Sequence, residues 1–293
     1  MTSQSNPIDL IYQLKQRLHQ LSPVEARIAH SILADVSLAA QLGVSELAER
    51  AQVSVAAVSR FAKTMGYDNV RELRAQLAEA SAVGKRFLQQ EQAPAVSALH
   101  AQICDDIEST LRHNLALLRE DTMLALAGAL AGARMIHVFG MGGCSALFAQ
   151  ELQNRLMRFG CRIAACNDAV SMKMIAATLG ADDVVMALSV SGITPEILSA
   201  VDIARGYGAR IGSITRRDTP LAAASDWWLE LAIDETDFVF KPTASRYAML
   251  LAIDVLSTTL GLHTAQASQE HLRRIKLALD NYRGGDNRLP LGD

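Results

Sequence analysis

Two short stretches carry residue types suited to holding an anion. Residues 189–194 read SVSGIT, between the apolar run DVVMAL and the helix-forming PEILSAVDIAR. Residues 140–145 read GMGGCS, between HVF and ALFAQEL. Each stands where a strand is expected to give way to a helix. In the first, Ser189, Ser191 and Thr194 supply hydroxyls, Gly192 lets a ligand approach the backbone, and Pro195 suits the first helical position with Thr194 as its cap. In the second, Gly140, Gly142 and Gly143 open the backbone ahead of the Ser145 hydroxyl. At the carboxyl end of a parallel strand, the free N–H groups and dipole of the next helix favour negative charge. Neither stretch contains Lys or Arg, so the holding would be by hydrogen bonds, which suits a phosphate monoester. The plainer reading of SVSGIT is a Ser/Thr turn that caps a helix. One hydroxyl satisfies a cap; three favour a ligand.

Gly140-x-Gly142-x-x-Ser145 also has the outline of a dinucleotide fingerprint with its third glycine replaced. The acid such a site needs after the second strand is missing at the usual spacing, since Asp168 comes late. Two serine-bearing loops fit one phosphorylated sugar better, and no cofactor is expected. For acid–base chemistry the candidates are Glu196, Glu235, Asp237 and His263, with Lys241 able to meet a ligand hydroxyl or carboxylate. Glu196 falls in a first helical turn, where acids are favoured by the dipole alone. No pair among them has a spacing that compels catalysis. Cys104, Cys144, Cys161 and Cys166 form no CxxC and no zinc spacing, so reduced thiols and no metal are expected.

The elements that would position these loops follow from the texture of the chain. From RMIHVFG through RIAAC, DVVMALS, RIGSIT and WWLELA, short apolar runs alternate with helical stretches, which predicts a parallel sheet covered by helices on both faces. A long amphipathic helix over 96–119 precedes it, with Val96, Leu99, Ile103, Ile107, Leu111, Leu115 and Leu118 on one stripe. The first eighty residues read instead as short helices, one opened by the capping box SPVE at 22–25. SELAERAQ, SVAAVSRFAKTM and NVRELRAQLAEA each begin with a residue able to cap. Two of these, joined by a tight turn at Gln52–Val53, fit a helix-turn-helix with Leu47, Val53, Val58 and Phe61 as its core. The second helix has no acid, and its outward positions are read as Ser54, Ala56, Ala57, Ser59, Arg60 and Lys63. Ser45 joins them as a DNA-facing candidate. A helical bundle with a solvated face is the alternative reading.

The chain has 293 residues, 50% of them hydrophobic, and a formal charge of -3, so any attraction to nucleic acid must be local. With so few cations on the helical module, two copies are expected to engage DNA together. No uninterrupted apolar run reaches the roughly 18–20 residues of a membrane helix. MTSQSNPIDLIYQLKQRL lacks the pattern of a signal peptide, so a cytoplasmic protein is expected. The expected division is 1–80 helix-turn-helix, 81–120 linker and connecting helix, 121–282 α/β domain, and 283–293 tail.

Taken together, SELAERAQVSVAAVSRFAKTMGYDNVRELRAQL, VFGMGGCSALFAQELQNRLMRFG, ALSVSGITPEILSAVDIARGYGARIGSIT, TPLAAASDW and SRYAMLLAIDVL resemble the RpiR family of bacterial transcription regulators over nearly the whole chain. The resemblance implies an all-α DNA-binding domain joined to a sugar isomerase (SIS) domain, a flavodoxin-like three-layer sandwich on a five-stranded parallel sheet. It implies operator DNA and a phosphorylated sugar or amino sugar as partners, a homodimer or homotetramer, and no enzymatic activity. By position, Ser145 with Ser189, Ser191 and Thr194 would hold the phosphate, while Ser54, Ala57, Ser59, Arg60 and Lys63 would lie on the recognition helix. SIS domains also occur in phosphosugar isomerases, which is the alternative function. Two departures stand out: Ala57 replaces the usual Thr, and Gly143 and Cys144 both precede Ser145, one residue more than the common loop.

Overall fold

The structure, a computed structural model, describes residues 9–82, 96–233 and 244–283. The chain forms two compact units.

The first unit is helical: α1 (Leu10–Arg17), α2 (Pro23–Ala34), α3 (Val36–Gln41), α4 (Val44–Arg50), α5 (Val55–Thr64) and α6 (Val70–Ala82). The helices begin where local chemistry satisfies their free N–H groups. Ser22 and Glu25 close the capping box of α2, Asp35 accepts from Leu38 N–H at 2.9 Å, and Asn69 accepts from Glu72 N–H at 3.0 Å. Leu14, Ile28, Ile32, Leu47, Val58, Phe61, Leu73 and Leu77 are fully buried between them. Each such side chain contributes about 1.5–3 kcal/mol relative to exposure.

The second unit contains α7 (Val96–Leu117), α8 (Glu120–Gly132), β1 (Met135–Gly140), α9 (Gly143–Met157), β2 (Ile163–Cys166), α10 (Ala169–Ala176), β3 (Asp183–Leu188), α11 (Pro195–Gly206), β4 (Arg210–Arg216), α12 (Pro220–Ala223), β5 (Trp227–Leu231), α13 (Ser245–His263) and α14 (Ala265–Tyr282). All strand pairs are parallel, in the order β2-β1-β3-β4-β5. Because alternate strand residues face opposite sides, Val184, Met186 and Leu188 pack with α8, α9 and α13, while Val185 and Ala187 pack with α10 and α11. The result is the three-layer, flavodoxin-like sandwich. The starts of β1 and β3 are tied by Arg134, whose Nε and Nη2 donate to Asp183 at 3.0 and 2.5 Å. Burial of Asp183 opposes its ionisation, but Arg134 and the Gly180 N–H outweigh it and hold the carboxyl below its usual range.

Two expectations change here. The stripe on α7 does not run the helix's length into the core: Val96 and Leu115 are exposed, and among the positions described the fully buried one is Asn114. Asn114 Nδ2 donates to Ala232 O at 3.0 Å and its Oδ1 accepts from Ala232 N–H at 2.9 Å, fastening α7 to the end of β5. The helix α8, apolar enough to bury Met123, Leu126, Ala127 and Leu130, was not anticipated from the strand–helix alternation.

Candidate functional site

The strand order reverses between β1 and β3, and a crevice forms beyond the carboxyl ends of strands at such a point. Gly140 lies opposite Leu188 in the register, so the loops 140–145 and 189–194 leave the sheet side by side. The first loop turns sharply. Gly142 has φ +75° and caps α9 without a side chain. A Cβ on Gly140 would run into the Ser145 carbonyl, so glycine is what lets α9 start directly against the strand end. Ser145, in the first turn of α9, is buried; Cys144 beside it is exposed.

The second loop divides its hydroxyls between two tasks. Ser189 is 3% exposed; its Oγ accepts from Gly192 N–H at 3.1 Å and meets Thr194 Oγ1 at 3.2 Å. The expected Thr194 cap is absent: its side chain makes no capping hydrogen bond to α11, being drawn to Ser189 instead. The first turn of α11 is thereby left without a side-chain cap. Ser191 is exposed, with only a long 3.5 Å approach from Ile193 N–H. Gly192 has φ +68°, and a Cβ there would lie 2.6 Å from Thr215 Oγ1 and closer still to Thr219. Thr215, at the end of β4, is fully buried with its Oγ1 unpartnered. This hydroxyl beneath the loop was not singled out from the sequence, where it reads as an ordinary strand residue.

The remaining candidates are dispersed. Glu196 is half-buried in the first turn of α11, where the dipole favours an acid. His263, in the last turn of α13, lines a different, largely apolar recess of about 460 Å³ with Leu115, Met123 and Leu262. Lys241, Glu235 and Asp237 lie outside the described residues. Asp168 caps α10, accepting from Ser171 N–H at 2.7 Å; those bonds to Ser171 hold its carboxyl below the usual range and occupy the acid a dinucleotide ribose would need. Among the described residues, no three His, Cys, Asp or Glu converge to hold a metal.

In the helical unit, α4 and α5 form the helix-turn-helix. The turn is closed by Gln52 N–H to Glu49 O and Val53 N–H to Ala48 O, both 2.9 Å, the bonding of a left-handed helix end. Gln52 accordingly has φ +54°, where glycine is usual. Ser54 caps α5, its Oγ accepting from Ala57 N–H at 3.2 Å. Ser54, Ala56, Ser59, Arg60 and Lys63 are exposed along one face. Ala57 is not: it is 5% exposed and packs inward with Val58, Phe61 and Ala62, because positions 57, 58, 61 and 62 share the inner side of the helix. Its assignment to the DNA-facing surface is therefore corrected. Ser45 is exposed but does not cap α4, which begins one residue earlier at Val44, with Gly43 as N-cap and Glu46 Oε2 accepting from Gly43 N–H at 2.6 Å.

A helix-turn-helix domain of the rpiR family matches residues 8–84, and a SIS domain matches residues 129–259. An HTH-type transcriptional regulator HexR from Pseudomonas aeruginosa is 32% identical over 273 residues, covering 92% of this chain and 95% of the relative. A regulator of the same name from Escherichia coli is 27% identical, covering 98% and 99%. Among solved structures, the Vibrio vulnificus NanR protein complexed with ManNAc-6P superposes with a TM-score of 0.56 at 22% identity, over 91% of this chain and 98% of that one.

Proposed function

Because the chain belongs to the rpiR family of helix-turn-helix transcriptional regulators carrying a SIS domain, we propose that the crevice between the β1 and β3 loops binds a phosphorylated sugar that controls the grip of α5 on operator DNA. The observation that carries this is the pairing of the two loops at the strand-order reversal. There the N-termini of α9 and α11, neither capped by a side chain, open beside the exposed Ser191. Backbone N–H groups and a free hydroxyl suit phosphate oxygens without a cation. Ser189 and Thr194 shape the loop by bonding each other, and Ser145 and Gly143 complete the opposite wall. Glu196, in the first turn of α11, would meet a sugar hydroxyl. The NanR protein bound to ManNAc-6P shows that a relative of this fold takes a phosphorylated amino sugar.

On the DNA side, Ser54, Ser59, Arg60 and Lys63 present short hydroxyls and two cations from a helix without acids. The protein acts as a binder rather than an isomerase: of the acid–base candidates among the described residues, Glu196 opens α11 while His263 lines a different recess, so the two form no pair for proton transfer between adjacent sugar carbons. A second copy of the chain supplies the second head that so weakly cationic a module requires. Since a ligand shifts DNA affinity only through its different affinity for two arrangements, occupancy must change the arrangement of the heads. The test is DNA binding by the full chain with each sugar phosphate added. A reproducible change in operator affinity with one phosphorylated sugar supports the reading, and indifference to all of them overturns it.

A further inference from the structure

We infer that the recess between α2 and the α4–α5 turn is a clamp for a backbone phosphate of bound DNA, an inference that rests on the DNA-binding reading above. The recess, about 470 Å³, is lined by Arg27, His30, Ser31, Arg50 and Gln52 together with two alanines. No Asp or Glu lines it, in a chain whose acids outnumber its Lys and Arg. Arg27, His30 and Ser31 stand at i, i+3 and i+4 on α2 and so share one face. Arg50 reaches the recess from the last turn of α4.

Both arginines are exposed, and neither is ion-paired among the described residues. Glu49, beside Arg50 in sequence, is exposed but does not line the recess, and two other nearby acids are engaged elsewhere. Glu25 binds Ser22 and accepts from Thr64 Oγ1 at 2.7 Å, and Glu46 accepts from the Gly43 N–H. The macrodipole favours a cation where Arg50 stands, but Arg27 lies in the middle of α2, where it offers nothing. Ser31 Oγ adds a hydroxyl shielded from solvent with no hydrogen-bond partner. Gln52 lines the same recess while held at φ +54°, a conformation that costs a non-glycine residue about 1–2 kcal/mol. Two guanidinium forks, a hydroxyl and an amide around one concavity match the oxygens of a phosphodiester.

The location fixes which phosphate. Gln52 leads through Val53 to Ser54, the N-cap of α5. In helix-turn-helix proteins the amino end of the second helix points into the major groove, and the backbone strand bordering the groove passes beside it. The cations of α5 itself, Arg60 and Lys63, sit about one and a half to two and a half turns further along and leave this end without a backbone contact of their own. Arg27 and Arg50 therefore supply the sequence-independent grip, and α5 the sequence preference.

The test uses the full chain and a duplex that the wild-type protein selects from a randomised pool, with affinity measured by fluorescence anisotropy across a salt series. Arg27→Ala and Arg50→Ala should each reduce the slope of log K against log salt by about 0.9 per bound head, weakening all duplexes alike. Arg27→Lys and Arg50→Lys should retain the slope, and thermal melting should match wild type, because both side chains are exposed. Arg60→Ala should instead alter which duplexes are preferred. An unchanged slope in the Arg27→Ala/Arg50→Ala double variant, with wild-type binding intact, overturns the clamp alone. Failure of the wild type to select any duplex overturns the DNA reading and the clamp with it.

Discussion

Three of the four glycines of the paired loops, Gly142, Gly143 and Gly192, should respond to alanine in a graded way. Gly192→Ala meets two penalties. Its φ of +68° costs an L-residue about 1–2 kcal/mol, and the new methyl would be forced within 2.6 Å of Thr215 Oγ1 and against Thr219. Overpacking of that kind costs about 1–3 kcal/mol more. A central value of about 3 kcal/mol lowers the melting temperature of a unit this size by roughly 6–12 °C. Gly142→Ala carries only the conformational cost of about 1–2 kcal/mol, since φ is +75° but nothing lies within 4 Å of the added carbon; a fall of roughly 2–8 °C follows. Gly143→Ala has neither penalty and sits in the first turn of α9, so its melting should match or exceed wild type. Scanning calorimetry of the three variants reads the series directly. Wild-type melting of Gly192→Ala would refute the close seating of the β3 loop on β4, and a fall in Gly143→Ala as large as in Gly192→Ala would refute the open space at the start of α9.

Other outcomes follow from individual side chains. Ser189→Ala strands the buried Gly192 N–H and should cost about 1–3 kcal/mol in melting, whereas Ser191→Ala should leave stability unchanged and weaken only ligand binding. Equal loss of stability in both would contradict this division. Gln52→Gly relieves a positive φ at the price of a looser unfolded chain, and the helical unit should gain up to about 1 kcal/mol in denaturant titration. His137 is half-buried on β1, and burial holds its pKa below the ordinary imidazole value, with Nδ1 unpartnered. The unfolded chain therefore takes a proton near pH 6.5 before the folded one does, so this contribution to stability is complete above that pH and is lost as pH falls below it. The melting temperature should drop between pH 7.5 and 5.5, and His137→Gln should flatten the drop; an unchanged slope in the variant would contradict the assignment.

What could be read from the residues divides along physical lines. The capping box at 22–25, the fully apolar DVVMAL and the proline after Thr194 are local signals, and each appears in the structure where its chemistry demands. The neighbouring of the two serine loops was legible because alternation implies a parallel sheet, and ligand loops gather at its strand-order reversal. Positions settled by one helical step were not. Ala57 turns inward because α5 buries 57, 58, 61 and 62 together, and α4 starts at Val44 because Gly43 and Glu46 close its end. Side-chain partnerships set by the folded loops and strands left no sequence trace. Thr194 prefers Ser189 to its own helix, Thr215 lies under Gly192 from a strand away, and Asn114 holds Ala232 across 118 residues.

The most direct test of the central claim is a thermal-melting titration of the full chain against sugar phosphates, amino-sugar phosphates and their dephosphorylated forms, in wild type and Ser191→Ala. A ligand at 100 times its Kd adds about 2.7 kcal/mol, a rise of roughly 5–10 °C. The expected result is stabilisation by a phosphorylated sugar, none by its dephosphorylated form, and a reduced shift in Ser191→Ala. Stabilisation by the dephosphorylated form or by a dinucleotide, or an equal shift in the variant, would contradict a phosphate site between the β1 and β3 loops.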